Sequence, residues 1–138
     1  MSVPKPPKID INSNNETPDK LKERLSDLAW KVTQEKGTEP PYSGEYNDFN
    51  EQGNYYCICC DQHLFYSEHK FDSQCGWPAF HSAIESSTRE EMDHSHGMTR
   101  IEVLCKNCGA HLGHKFPDGP FGTRYCINSV CLRFEPSE

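Results

Sequence analysis

Two pairs of closely spaced cysteines constrain this chain more than any other feature of its sequence. Cys57 and Cys60 form one C-x-x-C pair, and Cys105 and Cys108 form a second pair beyond a long intervening segment, residues 61–104. Two residues between thiols let both sulfurs reach one ion, and four thiolates are the donor set of a closed, tetrahedral zinc site. The pattern predicts one structural zinc ion per chain, which would join two distant hairpins and whose loss would unfold much of the domain.

The residue that follows each pair suits the tight turn that such a site requires. Gly109 follows Cys108, and Asp61 follows Cys60 and accepts left-handed backbone angles better than most residues. The alternatives are a redox dithiol at one pair or buried cysteines that act as small apolar groups. Cys59 lies inside the first pair but lacks the two-residue spacing. The histidines come with no carboxylate cluster and no clear third ligand, so we expect no second metal site.

Composition indicates a single small domain that needs such help. The chain has 138 residues, of which 34% are hydrophobic. This fraction is small for a stable hydrophobic core, and such domains often need a metal or disulfides. A net charge of −7, with no basic cluster, argues against nucleic-acid binding. The sequence carries no apolar run of membrane-spanning length and no secretory segment. We therefore expect a cytoplasmic protein that does not bind membranes, whose paired cysteines bind metal or perform redox chemistry.

The chain divides into a tail, a helix and a β-rich body. Residues 1–16 are polar and interrupted by prolines, which predicts a disordered tail before a single domain at 17–138. Thr17 is a typical N-cap, and apolar residues at helical spacing predict one helix of about 18 residues that ends at Gly37. Beyond it, short aromatic and β-branched runs alternate with turn residues, which predicts a mainly antiparallel β body. The candidate strands are Asn54–Ile58, Ser67–Phe71, His81–Ala83, Met98–Leu104, His111–Phe116 and Tyr125–Phe134.

Four cysteines remain after the metal ligands, namely Cys59, Cys75, Cys126 and Cys131. Cys126 follows Arg124 by two residues, and a nearby cation favours a thiolate over a thiol. Cys75 lies in a loop with neighbouring glycine and proline that can move. A thiolate and a mobile second thiol suit a cycle that reduces a peroxide or a sulfoxide. The residues alone leave open whether either cysteine is catalytic or inert.

Five longer strings of residues occur in a fixed order along the chain. They are GTEPPYSG at 37–44, CGWPAF at 75–80, AHLGH at 110–114, FPDGP at 116–120 and RYCINS at 124–129. Together with both cysteine pairs, they resemble the methionine-R-sulfoxide reductase B (MsrB) family from about residue 19 to residue 134. Five strings in register are far more specific than any one motif.

The resemblance implies a fold, an activity and partners. The fold is mainly β, with two antiparallel sheets (β-tent, Mss4-like), a short helical N-terminus and a structural zinc. The activity is that of a peptide-methionine (R)-S-oxide reductase, an oxidoreductase that repairs oxidised methionine in proteins. In that family the nucleophile corresponds to Cys126, and the resolving thiol of many members corresponds to Cys75. Thioredoxin is the expected reductant, and a monomer is expected.

The resemblance also implies a substrate pocket. His114 would deliver a proton to the sulfoxide oxygen, since imidazole titrates near neutral pH. Trp77 would pack against the S-methyl group of the substrate. The other residues implied to bind substrate are His111, Phe116, Arg124 and Asn128. The alternative is that both residues are purely structural: His114 would form a hydrogen bond that holds its strand, and Trp77 would pack in the core.

Three departures from the family's pattern leave details open. Cys131 stands where many relatives carry serine, so Cys131 or Cys59 could compete with Cys75 as the resolving thiol. Residues 121–123 form a shorter loop than usual, and Met92 lies in a segment where some relatives carry a further pocket histidine. A zinc-stapled module that binds a ligand in an aromatic cleft is the alternative from another class, and it would not need a reactive Cys126.

Overall fold

Two short helices precede the strands of this protein. A computed structural model describes residues 17–137, and the predicted tail at residues 1–16 lies outside the described residues. The helices are α1 (Pro18–Arg24) and α2 (Asp27–Glu35), and the strands are β1 (Gly53–Cys57), β2 (His63–Tyr66), β3 (Lys70–Phe71), β4 (Ala79–Phe80), β5 (Thr88–Asp93), β6 (Arg100–Cys105), β7 (His111–Phe116), β8 (Arg124–Ile127) and β9 (Leu132–Pro136). Within residues 17–137, no helix is long and apolar enough to span a membrane.

The prediction of one continuous N-terminal helix was wrong, because a serine starts a second helix. Leu25 is extended (φ −82°, ψ 150°) and ends α1, and the Ser26 hydroxyl then accepts a hydrogen bond of 3.0 Å from the Ala29 N–H. A serine side chain that satisfies a free N–H competes with a continuous helix at that point. The helix end is also displaced, since Lys36, and not Gly37, adopts the left-handed conformation (φ 59°).

The strands form two antiparallel sheets, which confirms the mainly β fold predicted from the sequence. The small sheet has the order β2-β1-β9, and the large sheet has the order β3-β4-β8-β7-β6-β5. Strand β8 therefore lies inside the large sheet, between β4 and β7. This position brings residues from three separate parts of the chain to one region of the sheet.

The individual strand predictions were correct for some segments and wrong for others. His111–Phe116 is confirmed, whereas the last predicted strand is divided by a 3-10 turn at Ser129–Cys131. His81–Ala83 is not a strand, and the preceding Ala79–Phe80 is. Strands β2 and β5 were missed. Strand β5 is a largely exposed edge strand, which is held by its ladder to β6 and so needs no apolar alternation.

Aromatic side chains join the two sheets. Phe65 on β2 stacks on Phe80 of β4 at a ring distance of 4.2 Å, and Tyr55 on β1 meets Phe80 edge-on at 5.2 Å. All three are fully buried. Large rings bury much apolar area per residue, so a few of them replace a larger aliphatic core and fix β4 and its neighbour β8.

Candidate active site and metal centre

Cys57, Cys60, Cys105 and Cys108 converge, and their sulfurs all lie within 4.8 Å of one another. The Sγ atoms of Cys57 and Cys108 are 3.7 Å apart, and those of Cys60 and Cys105 are 3.6 Å apart. Four sulfurs about 2.3 Å from a tetrahedral zinc ion would be separated by about 3.8 Å. The four cysteines are therefore positioned to bind one metal ion, and the donor set and its dimensions fit zinc.

The two turns that present these thiols are alike. Asp61 (φ 64°) and Gly109 (φ 79°) both take the left-handed conformation, as the sequence predicted. Their N–H groups donate to the carbonyls of Cys57 and Cys105, at 2.9 and 2.8 Å respectively. Because Cys57 ends β1 and Cys105 ends β6, a bound metal would cross-link the small sheet to the large one.

Cys75 and Cys126 form a second pair of neighbouring thiols, separate from the four cysteines that could bind zinc. The Sγ atoms of Cys75 and Cys126 are 3.4 Å apart, and both side chains are half-buried. Cys126 is on β8, whereas Cys75 is in the loop before β4. In that loop the Ser73 hydroxyl accepts a hydrogen bond from the Cys75 N–H at 3.2 Å. The chain thus brings together two cysteines that the sequence singled out, close enough for a disulfide to form after a small movement.

These two thiols share one negative charge. The contact with Cys126 lowers the pKa of Cys75 to about 5, and the Ser73 hydroxyl assists. Contact with Cys75 raises the pKa of Cys126, as does burial, and the nearby Arg124 guanidinium opposes that rise. The sequence-based expectation of a readily ionised Cys126 therefore depends on Cys75. When Cys75 moves away or is replaced, the largest cause of the raised pKa disappears.

A small cavity of about 80 Å³ opens beside Cys126. Among the described residues, Cys126 is the one cysteine in its lining, which comprises Thr38, Trp77, Arg100, Gly113, His114, Phe116, Cys126 and Asn128. The Trp77 indole is held by a hydrogen bond of 3.0 Å from its Nε1 to the Glu39 carbonyl. The cavity therefore has an apolar wall, a thiol and polar groups within a space suited to a small functional group.

Strand register explains why these side chains meet. His114 on β7 lies opposite Cys126 on β8, and Phe116 lies opposite Arg124. Residues two apart on a strand face the same side of a sheet, so all four share one face. Arg124 is fixed there by Asp118, whose Oδ1 accepts a hydrogen bond of 2.8 Å from Nε, and by the Phe116 ring, 4.3 Å away.

Two buried carboxylates hold the two histidines of β7. His114 Nε2 lies 2.8 Å from Asp93 Oδ2, and His111 Nδ1 lies 2.8 Å from Glu102 Oε2. The bond from His114 holds the pKa of Asp93 well below its usual range, whereas burial lowers the pKa of His111. Lys36 Nζ lies 3.2 Å from Glu102 and 3.9 Å from Asp93, so one cation faces both acids.

Asn128 is held on both sides of its amide. Its Nδ2 donates to the Leu112 carbonyl at 2.9 Å, and its Oδ1 accepts from the Glu39 N–H at 2.9 Å. The buried Glu39 carboxylate accepts further bonds from the N–H groups of Ser129, at 2.9 Å, and Val130, at 3.0 Å. Glu39 therefore connects the Asn128 side chain and the turn at Ser129–Cys131 to the segment at residues 37–44.

Comparison with known proteins decides the family. Residues 25–136 match the SelR domain. A peptide methionine sulfoxide reductase MsrB of Chromohalobacter salexigens is 53% identical over 120 residues, covering 84% of this chain and 90% of the relative. The chain belongs to the MsrB family of peptide methionine sulfoxide reductases. The MsrB of Escherichia coli (strain K12 / DH10B) is 50% identical over 129 residues, covering 91% of this chain and 94% of the relative.

One solved structure shows the fold alone. The crystal structure of the Mis18 Yippee-like domain superposes with a TM-score of 0.53 at 18% identity, covering 64% of this chain and 99% of that one. At so low an identity the likeness says nothing about chemistry. The MsrB fold of this chain is thus shared by proteins of quite different sequence.

Most of the residues implied by the MsrB resemblance come together, and three of them, Cys75, Arg124 and His111, lie outside the cavity lining. Arg124 stands beside Cys126 but is paired with Asp118. His111 is buried behind His114, with the two ring centroids 5.5 Å apart. Of the other thiols, the fully buried Cys131 donates to the His111 carbonyl at 3.2 Å, and burial raises its pKa.

Sequence reasoning missed several residues of the site. They are Thr38, Arg100 and Gly113 in the lining, and Glu39, Asp93 and Glu102 among the supporting groups. Thr38 and Glu39 belong to the string at 37–44, which was a usable signal. Asp93 lies opposite Arg100 in the ladder between β5 and β6, and only that register brings it to His114.

Proposed function

We propose that this MsrB-family chain reduces the R epimer of methionine sulfoxide in proteins, with Cys126 as the nucleophile and Cys75 as the resolving thiol. One observation carries the proposal: Cys126 lines the cavity with Trp77 and His114 and lies 3.4 Å from Cys75, which is outside the lining. A nucleophile must reach both the substrate and its resolving partner, and Cys126 has that position.

The first step transfers the sulfoxide oxygen. The Cys126 thiolate attacks the sulfoxide sulfur and forms an S–S bond. The protonated oxygen then passes from that sulfur to the Cys126 sulfur as the S–S bond breaks, which releases methionine and leaves Cys126 as a sulfenic acid. The sulfoxide gains the two electrons that Cys126 loses. His114 would protonate the oxygen during this step. Because its Nε2 is bonded to Asp93, Nδ1 is the nitrogen left to face the substrate.

The second step restores a reducible form. The Cys75 thiolate attacks the sulfenic sulfur, the S–O bond breaks, and the oxygen leaves as water once protonated. The resulting Cys75–Cys126 disulfide is then opened by exchange with a dithiol protein, for which thioredoxin is the expected donor. Cys131 is a poorer candidate as the resolving thiol, since it is fully buried and its thiol is engaged by a carbonyl.

The cavity supports selection of a methyl sulfoxide. Its volume of about 80 Å³ is several times the roughly 10–15 Å³ that a cavity needs to hold one water molecule, so it accommodates a group of a few heavy atoms. The Trp77 indole, fixed through Glu39, would contact the S-methyl group. Cys126 and His114 are fixed as cross-strand neighbours. With the sulfur at Cys126, the oxygen at His114 and the methyl group at Trp77, the rest of the methionine can leave the cavity in one direction only, so only one hand of the sulfoxide fits. Asn128 and Phe116 complete the walls.

Three further properties belong to the same proposal. Zinc on the four paired cysteines would stabilise the domain at 17–138 and take no part in the reaction, since four protein ligands leave no open position. The chain would act as a monomer, because one chain supplies the whole cavity lining. The cytoplasm is the proposed location, since a reducing compartment keeps available the thiols that the zinc site and the proposed redox cycle need.

An assay that resolves the two epimers tests the activity and its nucleophile. Wild type and Cys126→Ser are given the R and S sulfoxides of blocked methionine, with dithiothreitol as reductant. Reduction of the R epimer only, abolished by the substitution, is expected. Folded, zinc-loaded protein that reduces neither epimer would contradict the proposal and favour a binding module.

A second variant tests the resolving thiol. Cys75→Ser is expected to lose turnover driven by thioredoxin while still releasing about one equivalent of methionine per chain, because only the second step needs Cys75. The matched control is Cys131→Ser, which keeps full turnover if Cys131 has no redox role. Unchanged thioredoxin turnover in Cys75→Ser would instead point to Cys131, to Cys59 or to direct reduction of the sulfenic acid.

A further inference from the structure

We infer that Tyr42 is a positioning residue for disulfide formation, because it holds the loop that carries Cys75 against Cys126. The inference rests on the proposed function, in which Cys75 resolves the sulfenic acid. It adds a residue to the recycling half of the reaction, whereas Trp77, His114 and Asn128 belong to the reduction half.

Tyr42 makes one hydrogen bond on each side of Cys75. Its hydroxyl donates to the Gln74 carbonyl at 2.8 Å, and its own N–H donates to the Gly76 carbonyl at 2.6 Å. The two carbonyls belong to the residues directly before and after Cys75. The backbone that carries the thiol is therefore held at both ends of a three-residue segment.

The backbone on both sides of this contact is strained. Tyr42 (φ 65°), Gln74 (φ 59°) and Gly76 (φ 100°) all have positive φ. Non-glycine residues keep such angles only where their surroundings fix them. The approach is also close, because a Cβ atom at Gly76 would lie 2.7 Å from the Cβ of Pro41. Mutual packing of the two segments accounts for the strain on each.

Tyr42 can restrain the loop because its own segment is anchored. Three residues earlier, the buried Glu39 is bonded to Trp77, Asn128 and the turn after Asn128. Tyr42 itself is 66% exposed, so its side chain adds little to the core. Its hydroxyl contacts the Cys75 loop, and restraint of that loop is the property that its removal would change.

This restraint bears on one chemical step. The Sγ atoms of Cys75 and Cys126 are 3.4 Å apart, and a disulfide requires about 2.05 Å. In the proposed step Cys75 sulfur bonds to the sulfenic sulfur of Cys126, whose oxygen leaves as water, and no outside oxidant is needed. A looser loop places the two sulfurs in reach for a smaller fraction of the time, which slows this step.

The test measures both steps in a single turnover. Fully reduced, zinc-loaded protein is mixed with blocked methionine R-sulfoxide without added reductant, and samples are quenched in time. Methionine release reports reduction, and loss of the second free thiol reports disulfide formation. Tyr42→Phe removes only the hydroxyl, and Tyr66→Phe, at an exposed position of the edge strand β2, is the matched control. Tyr42→Gly also removes the ring and relieves the positive φ, so strain cannot account for its behaviour.

The expected result is a selective change. Disulfide formation slows about three- to tenfold in Tyr42→Phe and further in Tyr42→Gly. Methionine release in Tyr42→Phe is no slower than in wild type and Tyr66→Phe, and its thermal stability matches theirs. Equal rates of disulfide formation in Tyr42→Phe and wild type would overturn the inference, as would a parallel slowing of methionine release. Wild type that releases no methionine would overturn the proposed function itself, and this inference with it.

Discussion

His114 donates a hydrogen bond of 2.8 Å from Nε2 to Oδ2 of Asp93, and both side chains are buried. The two residues are 21 positions apart and lie on β7 and β5, with β6 between the two strands. The bond holds the pKa of Asp93 well below its usual range, so Asp93 stays ionised at every working pH. It cannot supply a proton, but as the acceptor for Nε2 it fixes the orientation of the His114 ring. Asp93 is thus a positioning residue for the proposed proton donor.

Replacing Asp93 with asparagine is expected to slow methionine release in a single turnover by about ten- to a hundredfold at neutral pH. A neutral amide is a weaker acceptor than a carboxylate, so it holds the His114 ring less firmly, and it loses the ion pairs of Asp93 with Lys36 and Arg100. The single-turnover rate of methionine release in Asp93→Asn and wild type measures this effect. Glu90→Gln removes an exposed carboxylate from the same strand and should not change the rate; a rate for Asp93→Asn equal to that of wild type would refute the role.

The negative charge that Cys75 and Cys126 share predicts opposite effects of two substitutions. In wild type the Cys75 pKa is about 5 through its contact with Cys126, so alkylation of Cys75 should persist down to about that pH. Cys126→Ala removes the contact and should move the alkylation of Cys75 to higher pH. Cys75→Ala removes the largest cause of the raised Cys126 pKa and should move the alkylation of Cys126 to lower pH.

The measurement is the pH dependence of iodoacetamide labelling, with each site located by peptide mass analysis. Cys131→Ala serves as the control, since Cys131 is fully buried and bonded to a carbonyl. Labelling curves for Cys75 and Cys126 that do not move when the partner is removed would show that the two thiols titrate independently.

The metal cluster was predictable from the sequence because its geometry is local. Two residues between cysteines and a residue tolerant of positive φ after each pair are enough to specify a metal-binding turn, and both Asp61 and Gly109 have that conformation. The helical region was less predictable. Its apolar spacing continues past Leu25, and only the capping bond of Ser26 to Ala29 divides it.

The supporting groups of the active site could not be predicted from local patterns. Cys126, Phe116 and His114 were found through family strings, but Asp93 reaches His114 only through the register of three strands. That register depends on β5, whose largely polar sequence gives no strand signal in isolation. Long-range pairing, which local propensity does not encode, decides which carboxylate meets which histidine.

Loss of the metal is expected to unfold the protein. Binding of a structural zinc ion is worth about 10–16 kcal/mol, which equals or exceeds the roughly 5–15 kcal/mol that stabilises a typical domain. Elemental analysis of purified protein should find one zinc per chain, and prolonged chelation should abolish the near-ultraviolet circular dichroism. Cys105→Ser should lose both metal and fold, whereas Cys59→Ser should retain zinc, because Cys59 lies outside the four-sulfur cluster. If elemental analysis found well under one metal ion per chain in folded protein, the proposed zinc site would be contradicted.

Glu39 is expected to stabilise the fold through the hydrogen bonds that its carboxylate accepts from the Ser129 and Val130 N–H groups. Glu39→Gln puts an amide N–H group against the Ser129 or Val130 N–H group, and it should lower the free energy of unfolding by about 1–3 kcal/mol. Urea unfolding measures this loss, with the exposed Glu45→Gln as the control. Burial raises the pKa of Glu39, so the folded chain keeps its proton to higher pH than the unfolded chain does. Its contribution is therefore complete in acid and declines as the pH rises through the raised pKa, and the difference in stability between wild type and Glu39→Gln should shrink in that direction. A difference that grows with rising pH would show that the ionised carboxylate is the better-stabilised form.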